Sequence, residues 1–269
     1  MGADDEYTVL IGKYGTRTAR RSEVFLNYSV YREPDGPIGM DYFVWVVRNA
    51  ARTVVVDTGF SRHGGESRGR EMLIEPVDLF AGLGVDIDAG PTVIVTHAHY
   101  DHIGNLAGFG ASPLLVAERE LAFWTGPLAA RPLFHHSVED SEVRDLADIS
   151  ATDRLTMFRD RYEVAPGINV VEVGGHTPGQ SVVRVKTSAG TVLLASDAVH
   201  YYEELELDRP FSSVTGVADM YAAFDRIRAW QSSGEVDIVV SGHDPGTLER
   251  FTPVGGELAG LAATIGGPG

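Results

Sequence analysis

Residues 91–105 read PTVIVTHAHYDHIGN: a β-branched apolar run, 91–95, is followed at once by His97, His99, Asp101 and His102 within six positions. Short apolar runs bounded by Gly, Pro and Asp fit buried strands better than helices. The same pattern, a β-branched run ending in a polar turn of small residues, recurs in TVVVDTGF (53–60), TVLLASDAVH (191–200) and IVVSGHDPG (238–246). Each run delivers carboxylate or imidazole groups at its C-terminal end. A lone histidine is usually a packed or solvated group, but three with an aspartate in six positions predict a metal site. The chain has no cysteine, so nitrogen and oxygen must hold any metal. Further candidate ligands are His176 in GGHTPGQS, Asp197 in ASDAVH and His243 in VSGHDPG. All three sit at strand ends among small residues that let the backbone approach a site closely. Donors of this kind suit zinc with a coordination position left open for water, and they also accept manganese, iron or cobalt.

Outward from these runs, GINVVEV, QSVVRVKTSAG and TVLLAS read as consecutive strands of a meander, with SAG as the hairpin turn. Helical periodicity marks 70–83 (REMLIEPVDLFAGL), 117–125 (AERELAFWT) and 217–230, where Met220, Tyr221, Phe224, Ile227 and Trp230 form a stripe expected in the core. Strands towards both ends with interleaved helices predict an α/β sandwich. With 269 residues, 43% of them hydrophobic, one domain over 1–269 is expected, its GGPG tail frayed. No apolar stretch approaches the roughly 20 residues that cross a bilayer. The start, MGADDEYTVL, lacks a basic n-region and an apolar core, so a soluble, cytoplasmic protein is expected. The net charge of −16, from 38 acidic and 22 basic residues, argues against nucleic-acid and anionic-membrane partners. RTARR at 17–21 is the nearest basic patch and reads as a solvated face.

The ordered set H-x-H-x-D-H, G-H-T-x-G, S-D and G-H resembles the metallo-β-lactamase superfamily, from the Asp-Thr-Gly turn at Asp57 to His243. The resemblance implies a four-layer αββα sandwich with a dinuclear metal site, most simply two Zn2+ ions. His97, His99 and His176 would bind one metal, Asp101, His102 and His243 the other, and Asp197 would bridge them. Asp57 would support the ligand loop by hydrogen bonding. The expected chemistry is hydrolysis by a hydroxide held between two metals, with Asp101 passing a proton to the leaving group.

Within the superfamily, HAHYDHIGN, GGHTPGQSVV and SDAVHYYEELELDRPF are most similar to N-acyl homoserine lactonases, which implies opening of a lactone or cleavage of an ester. That group carries a tyrosine three residues after the bridging aspartate. Here the position holds His200, followed by Tyr201, and either is a candidate to meet the substrate. Phe60, Tyr42 in GPIGMDYF and Phe134 in RPLFHH are candidate substrate contacts, whereas His63, His135 and His136 read as loop or pocket-wall residues. Scarce Arg and Lys near the motifs predict a neutral or weakly anionic small molecule with apolar bulk; a homodimer is the assembly considered. A glyoxalase II type thioesterase would need a basic cluster that is not visible along the chain. An iron-binding oxidoreductase would carry a glutamate in the metal run, and a non-catalytic metal-binding domain would be expected to have lost ligands.

Overall fold

Along the two longest strands, β1 (Thr8–Arg20) and β2 (Pro37–Arg48), successive side chains enter different cores. Val9 and Ile11 join Phe43, Trp45 and Val47 in one apolar cluster, while Leu10 and Tyr14 join Tyr42, Val44 and Val46 in another. A strand has a period of two, so burial of both faces requires a layer on each side and produces unbroken apolar runs. The first cluster is completed by Ile168, Val170, Val183, Val192 and Val240 of a second sheet. The other is covered by Leu79, Phe80, Leu121, Trp124 and Leu146, from helices Pro76–Gly82, Glu118–Trp124 and Asp140–Ser150. The far face of the second sheet packs Val171, Val182 and Leu193 against Ile227 and Trp230 of helix Val217–Ser233. The order is helix, sheet, sheet, helix: the four-layer αββα sandwich of the metallo-β-lactamase type.

The computed structural model describes residues 5–267; the first residues of MGADDEYTVL and the last two of the GGPG tail lie outside them. Among the described residues, the remaining strands are β3 (Thr53–Val56), β4 (Glu71–Met72), β5 (Thr92–Ile94), β6 (Leu114–Ala117), β7 (Leu155–Phe158), β8 (Arg161–Ala165), β9 (Ile168–Glu172), β10 (Ser181–Thr187), β11 (Gly190–Leu194), β12 (Ile238–Val240), β13 (Thr252–Pro253) and β14 (Ala262–Ile265). The first sheet runs β13-β14-β1-β2-β3-β5-β6-β7 with β4 added to β1, and the second runs β12-β11-β10-β9-β8. Pairing is parallel from β3 through β7 and between β11 and β12, and antiparallel elsewhere. The C-terminal ends of β3, β5, β11 and β12 thus carry the four polar turns to one edge of the sandwich.

Local chemistry corrects several sequence expectations. The helix expected over 70–83 begins only at Pro76, because Glu71–Met72 pairs with β1. Proline is favoured in a first helical turn but excludes helical backbone before it, and Glu75 is extended at φ −61°, ψ 132°. The run at 92–102 leaves its ladder after Ile94 and turns into a short helix, Tyr100–Ile103. Tyr221 is exposed, whereas Met220, Phe224, Ile227 and Trp230 are buried as the stripe implied.

Gly104 lies in right-handed helical backbone, φ −63°, so its smallness is needed for packing and not for a special turn. A Cβ there would stand 2.3 Å from Ser61 N and 2.8 Å from Gly59 O. Asn105 then clamps the same turn, donating Nδ2 to the carbonyls of Thr58, Gly59 and Phe60 at 2.9–3.1 Å. Gly104→Ala must therefore push two backbones apart. It should lower stability by about 1–3 kcal/mol, the usual cost of overpacking, read as an earlier denaturation midpoint of the metal-free chain. An unchanged midpoint would show that the turn yields freely.

Candidate metal centre

Buried carboxylates tie ligand-bearing turns together before any ligand is considered: one joins the turns after β3 and β5, another the β5 turn and the loop of His176. Asp57, in left-handed backbone at φ 60°, accepts from Thr96 N at 2.8 Å and from Thr96 Oγ1 at 2.7 Å. Its Oδ2 also lies 2.7 Å from His102 Nδ1. That bond fixes the imidazole so that Nε2 faces the site, the arrangement by which an outer carboxylate orients a ligand. His243 is fixed in the same sense, with Nδ1 at 2.7 Å from the carbonyl of Asp41 on β2. Tyr14 of β1 donates its hydroxyl to the carbonyl of Asp101 at 2.8 Å, pinning the short ligand helix.

Glu120, which sequence reasoning missed, joins two ligand loops. Its Oε1 accepts from Ala98 N (2.8 Å) and Trp124 Nε1 (2.7 Å); its Oε2 accepts from Thr177 Oγ1 (2.6 Å) and Gly179 N (2.9 Å). Ala98 lies between His97 and His99, and Thr177 follows His176, so one fully buried carboxylate sets the spacing of three imidazoles. Burial pushes its pKa up, against the pull of four hydrogen-bond donors. Gly179 is required at the contact, since a Cβ would meet Glu120 N at 2.4 Å. Along the chain Glu120 is one of two glutamates at the start of the helix ERELAFW, and nothing local separates it from a solvated acid.

Seven side chains converge in two groups: His97, His99, His176 and Asp197, and Asp101, His102 and His243. Within each group the potential ligand atoms all lie within 4.8 Å of one another. Asp197 faces both. Its Oδ1 is 3.2 Å from His102 Nε2 and 3.1 Å from His243 Nε2, while Oδ2 is 3.3 Å from His176 Nε2 and 3.7 Å from His97 Nε2. These residues are buried, yet among the described residues Nε2 of His97, His102 and His243 and Oδ1 of Asp197 have no hydrogen-bond partner. Buried polar atoms are seldom left so. Convergent orphan donors of this chemistry fit divalent cations, and two groups facing one aspartate suit a pair of them.

The charge states agree. Burial and the neighbouring imidazoles push His97 well below the ordinary histidine range; burial, only partly offset by Asp197, does the same for His99 and His176. Neutral imidazole is the ligand form. Burial also opposes charge on His102, but Asp197, Asp57 and Asp101 carry its pKa well above normal, so without a cation this ring holds a proton. Asp197 is held well below the carboxylate range despite burial, by His243, His200, His102 and His97.

A cavity of about 460 Å³ opens onto this cluster. His99, Asp101, His176 and Asp197 form its floor, and Met40, Tyr42, Tyr100 and Phe211 line its walls. Tyr42, an expected substrate contact, lines this cavity. Phe134 lines a smaller adjoining cavity together with His136, which also lines the larger one. Phe60 is fully buried among Tyr14, Tyr42 and Tyr100 and is a core residue, a correction to its expected substrate contact. Tyr201 is likewise corrected: its hydroxyl donates to Gly39 O at 3.0 Å and its ring packs on Phe25, away from the cavity lining. His200 sits behind Phe211, its ring stacked at 3.8 Å, with Nε2 3.1 Å from Asp197 Oδ2 and Nδ1 3.3 Å from Glu204. Its contact is with Asp197 and not with the cavity. Burial opposes its charging, but Asp197 and Glu204 bring its pKa to about 9.

The cavity phenols come instead from Tyr42 and Tyr100, both kept protonated by burial, which pushes Tyr42 to about 12 and Tyr100 well above the ordinary tyrosine range. His135 pairs with Asp140 and His63 is exposed beside Glu139. The premise that basic residues are scarce near the site is overturned, because Arg17, Arg68 and Arg70 line the cavity. A basic cluster of the kind a glyoxalase II type thioesterase would need is therefore present at the cavity.

The residues from 39 to 243 match the family model of the metallo-beta-lactamase superfamily, and the chain belongs to that superfamily. Among curated relatives, an N-acyl homoserine lactonase of Bacillus sp is 30% identical over 157 residues. That match spans 56% of this chain and 55% of the relative, little more than half its length. Among solved structures, a quorum-quenching N-acyl homoserine lactone lactonase superposes with a TM-score of 0.73 at 20% identity, over 88% of this chain and 92% of the other. AidC, a dizinc quorum-quenching lactonase, superposes with a TM-score of 0.73 at 18% identity, over 98% and 95%. These likenesses establish the fold.

If Glu120 spaces the imidazoles, Glu120→Gln should lower metal affinity about 10- to 100-fold, the usual effect of losing an outer partner of a ligand. The amide retains the shape but presents two N–H groups to backbone and hydroxyl donors. Chelator-competition titration reads the change; unaltered affinity would reduce Glu120 to a packing residue.

Proposed function

We propose that this chain, read as one domain, is a metal-dependent hydrolase of the N-acyl homoserine lactonase kind, which opens a lactone or cleaves a related carboxylic ester. The observation that carries the reading is the pair of buried ligand groups sharing Asp197 at the floor of an open cavity. The lactonases among its relatives and structural neighbours support the substrate class. His97, His99 and His176 would hold one cation, Asp101, His102 and His243 the other, and Asp197 would offer one oxygen to each. Zinc is the proposed metal, supported by the imidazole-rich donor set and by the dizinc neighbour. When bound, two such cations would lower the pKa of water towards about 7 and polarise the substrate carbonyl.

The chain's own groups do the remainder. Hydrolysis adds water across the acyl C–O bond, so one proton must reach the departing alkoxide oxygen. Asp101 lies on the cavity floor and is the acid–base group proposed to carry it. Tyr100 accepts a hydrogen bond from Arg70 Nε at 3.0 Å and interacts with the Tyr42 hydroxyl, so Arg70 and the two phenols form one polar group in the cavity wall that can face a substrate oxygen. His200 acts through Asp197 as a positioning residue and does not touch the substrate. Met40, Tyr42 and Phe211 offer apolar contact to a small molecule. No helix among the described residues is long and apolar enough to cross a membrane; cytoplasmic location and a homodimer remain part of this proposal.

Metal removal by chelator should abolish activity on a panel of lactones, oxyesters and thioesters, and add-back of two zinc ions per chain should restore it. Oxygen consumption with iron, or hydrolysis by the metal-free chain, would sink the reading. His200→Ala should lower kcat by about tenfold or more while KM moves little, because the lost contact is with Asp197; a larger effect on KM would put the ring against the substrate after all. Tyr201→Phe should leave kcat unchanged and cost only the hydrogen bond to Gly39, about 1 kcal/mol of stability.

A further inference from the structure

In a chain of net charge −16, two guanidinium groups in the wall of the metal cavity are left without a carboxylate. Arg17 directs Nε at Met40 Sδ, 3.3 Å away, and Arg70 donates Nε to the Tyr100 hydroxyl at 3.0 Å and Nη1 to the carbonyl of Arg68 at 2.6 Å. Among the described residues neither forms an ion pair. Their sequence neighbours behave differently: Arg20 pairs with Asp35, Arg21 with Glu203, and Arg68 with Glu139. In each local run, the arginines that pair are those whose charge is already met by the protein.

Both free arginines are partly buried, and a partly desolvated charge needs a counter-charge or strong hydrogen bonds. Among the described residues the cavity's own carboxylates supply no ion pair; Asp101 acts on Arg70 only through space. Asp101 and Asp197 face the proposed metals, and Glu23 at the rim accepts from the backbone N of Arg20 at 2.7 Å. Their origins also differ: Arg17 comes from β1, and Arg70 precedes β4, which pairs with β1 at Gly15 and Thr16. The β1–β4 ladder therefore brings the two guanidinium groups to one wall, beside the Tyr42 and Tyr100 hydroxyls.

We propose that Arg17 and Arg70 bind a carboxylate on the substrate, remote from the scissile carbonyl, so that the preferred lactone or ester is an anion. Guanidinium presents planar paired donors that match a carboxylate. The proposal rests on the hydrolase reading above and adds the class of substrate. It also gives the acidic chain a local positive pole facing its cavity.

The test compares two lactones that differ only at the tail: N-glutaryl-homoserine lactone, ending in carboxylate, and its primary-amide analogue. With the zinc-loaded full chain, kcat/KM for the carboxylate should exceed that for the amide by about tenfold or more, as charge-assisted hydrogen bonds imply. The ratio should fall as salt rises from about 0.05 to 0.5 M, because exposed charge pairs are screened. In the Arg17→Gln/Arg70→Gln double variant it should collapse towards one, and each single variant should lower it part of the way. A wild-type ratio near one, or a ratio that survives the double substitution, overturns the proposal. If the chain opens neither lactone nor any ester, the hydrolase reading fails separately. Calorimetry with the two ring-opened hydroxy acids then decides the anion site: tighter binding of the carboxylate tail, lost in the variants, supports it, and equal binding overturns it.

Discussion

Five imidazoles, those of His97, His102, His176, His200 and His243, stand within 4 Å of the carboxylate oxygens of one buried aspartate, Asp197. Concentrating so many polar groups away from water is unfavourable unless each lone pair and proton finds a partner. Several ring nitrogens have none among the described residues. That unmet demand is the constraint around which the remaining structure is organised, and divalent cations are the partners that would satisfy it.

The protein pays for this cluster by making everything around it rigid. Asp57 holds Thr96 and His102, Glu120 holds the flanks of His97, His99 and His176, and Tyr14 holds Asp101. Each support comes from a different segment, so the ligand loops are located relative to both sheets and not merely to the strand that bears them. Ligands held by packed elements and outer hydrogen bonds are oriented before a cation binds. The same economy explains Gly104, where two backbones pass too closely for any side chain.

Much of this was legible along the chain. Apolar β-branched runs ending in His or Asp marked the strand ends, whereas β1 and β2, which feed both cores and so require a layer on either side, were shown only by the packing. The misreadings share one cause. The helix expected from Arg70 was displaced because Glu71 and Met72 found a partner strand, a long-range pairing that local periodicity does not register. Phe60 and Tyr201 looked like site residues because they follow site motifs, but the chain turns them into aromatic packing. Glu120 looked like an ordinary surface acid on a helix until Ala98, Thr177 and Gly179 were brought to it.

The sequence by itself determined which chemistry is possible: nitrogen and oxygen ligands in the absence of thiols, grouped by short spacing at the ends of strands. Spacing carries that information because a strand end and its turn place near neighbours side by side. Only the tertiary structure decided that Asp197 faces both ligand groups, that His200 serves it from behind Phe211, and that Arg17 and Arg70 share one wall of the cavity. Those relations join residues far apart in the chain. They arise from sheet pairing and layer packing, whose partners no local window of sequence contains.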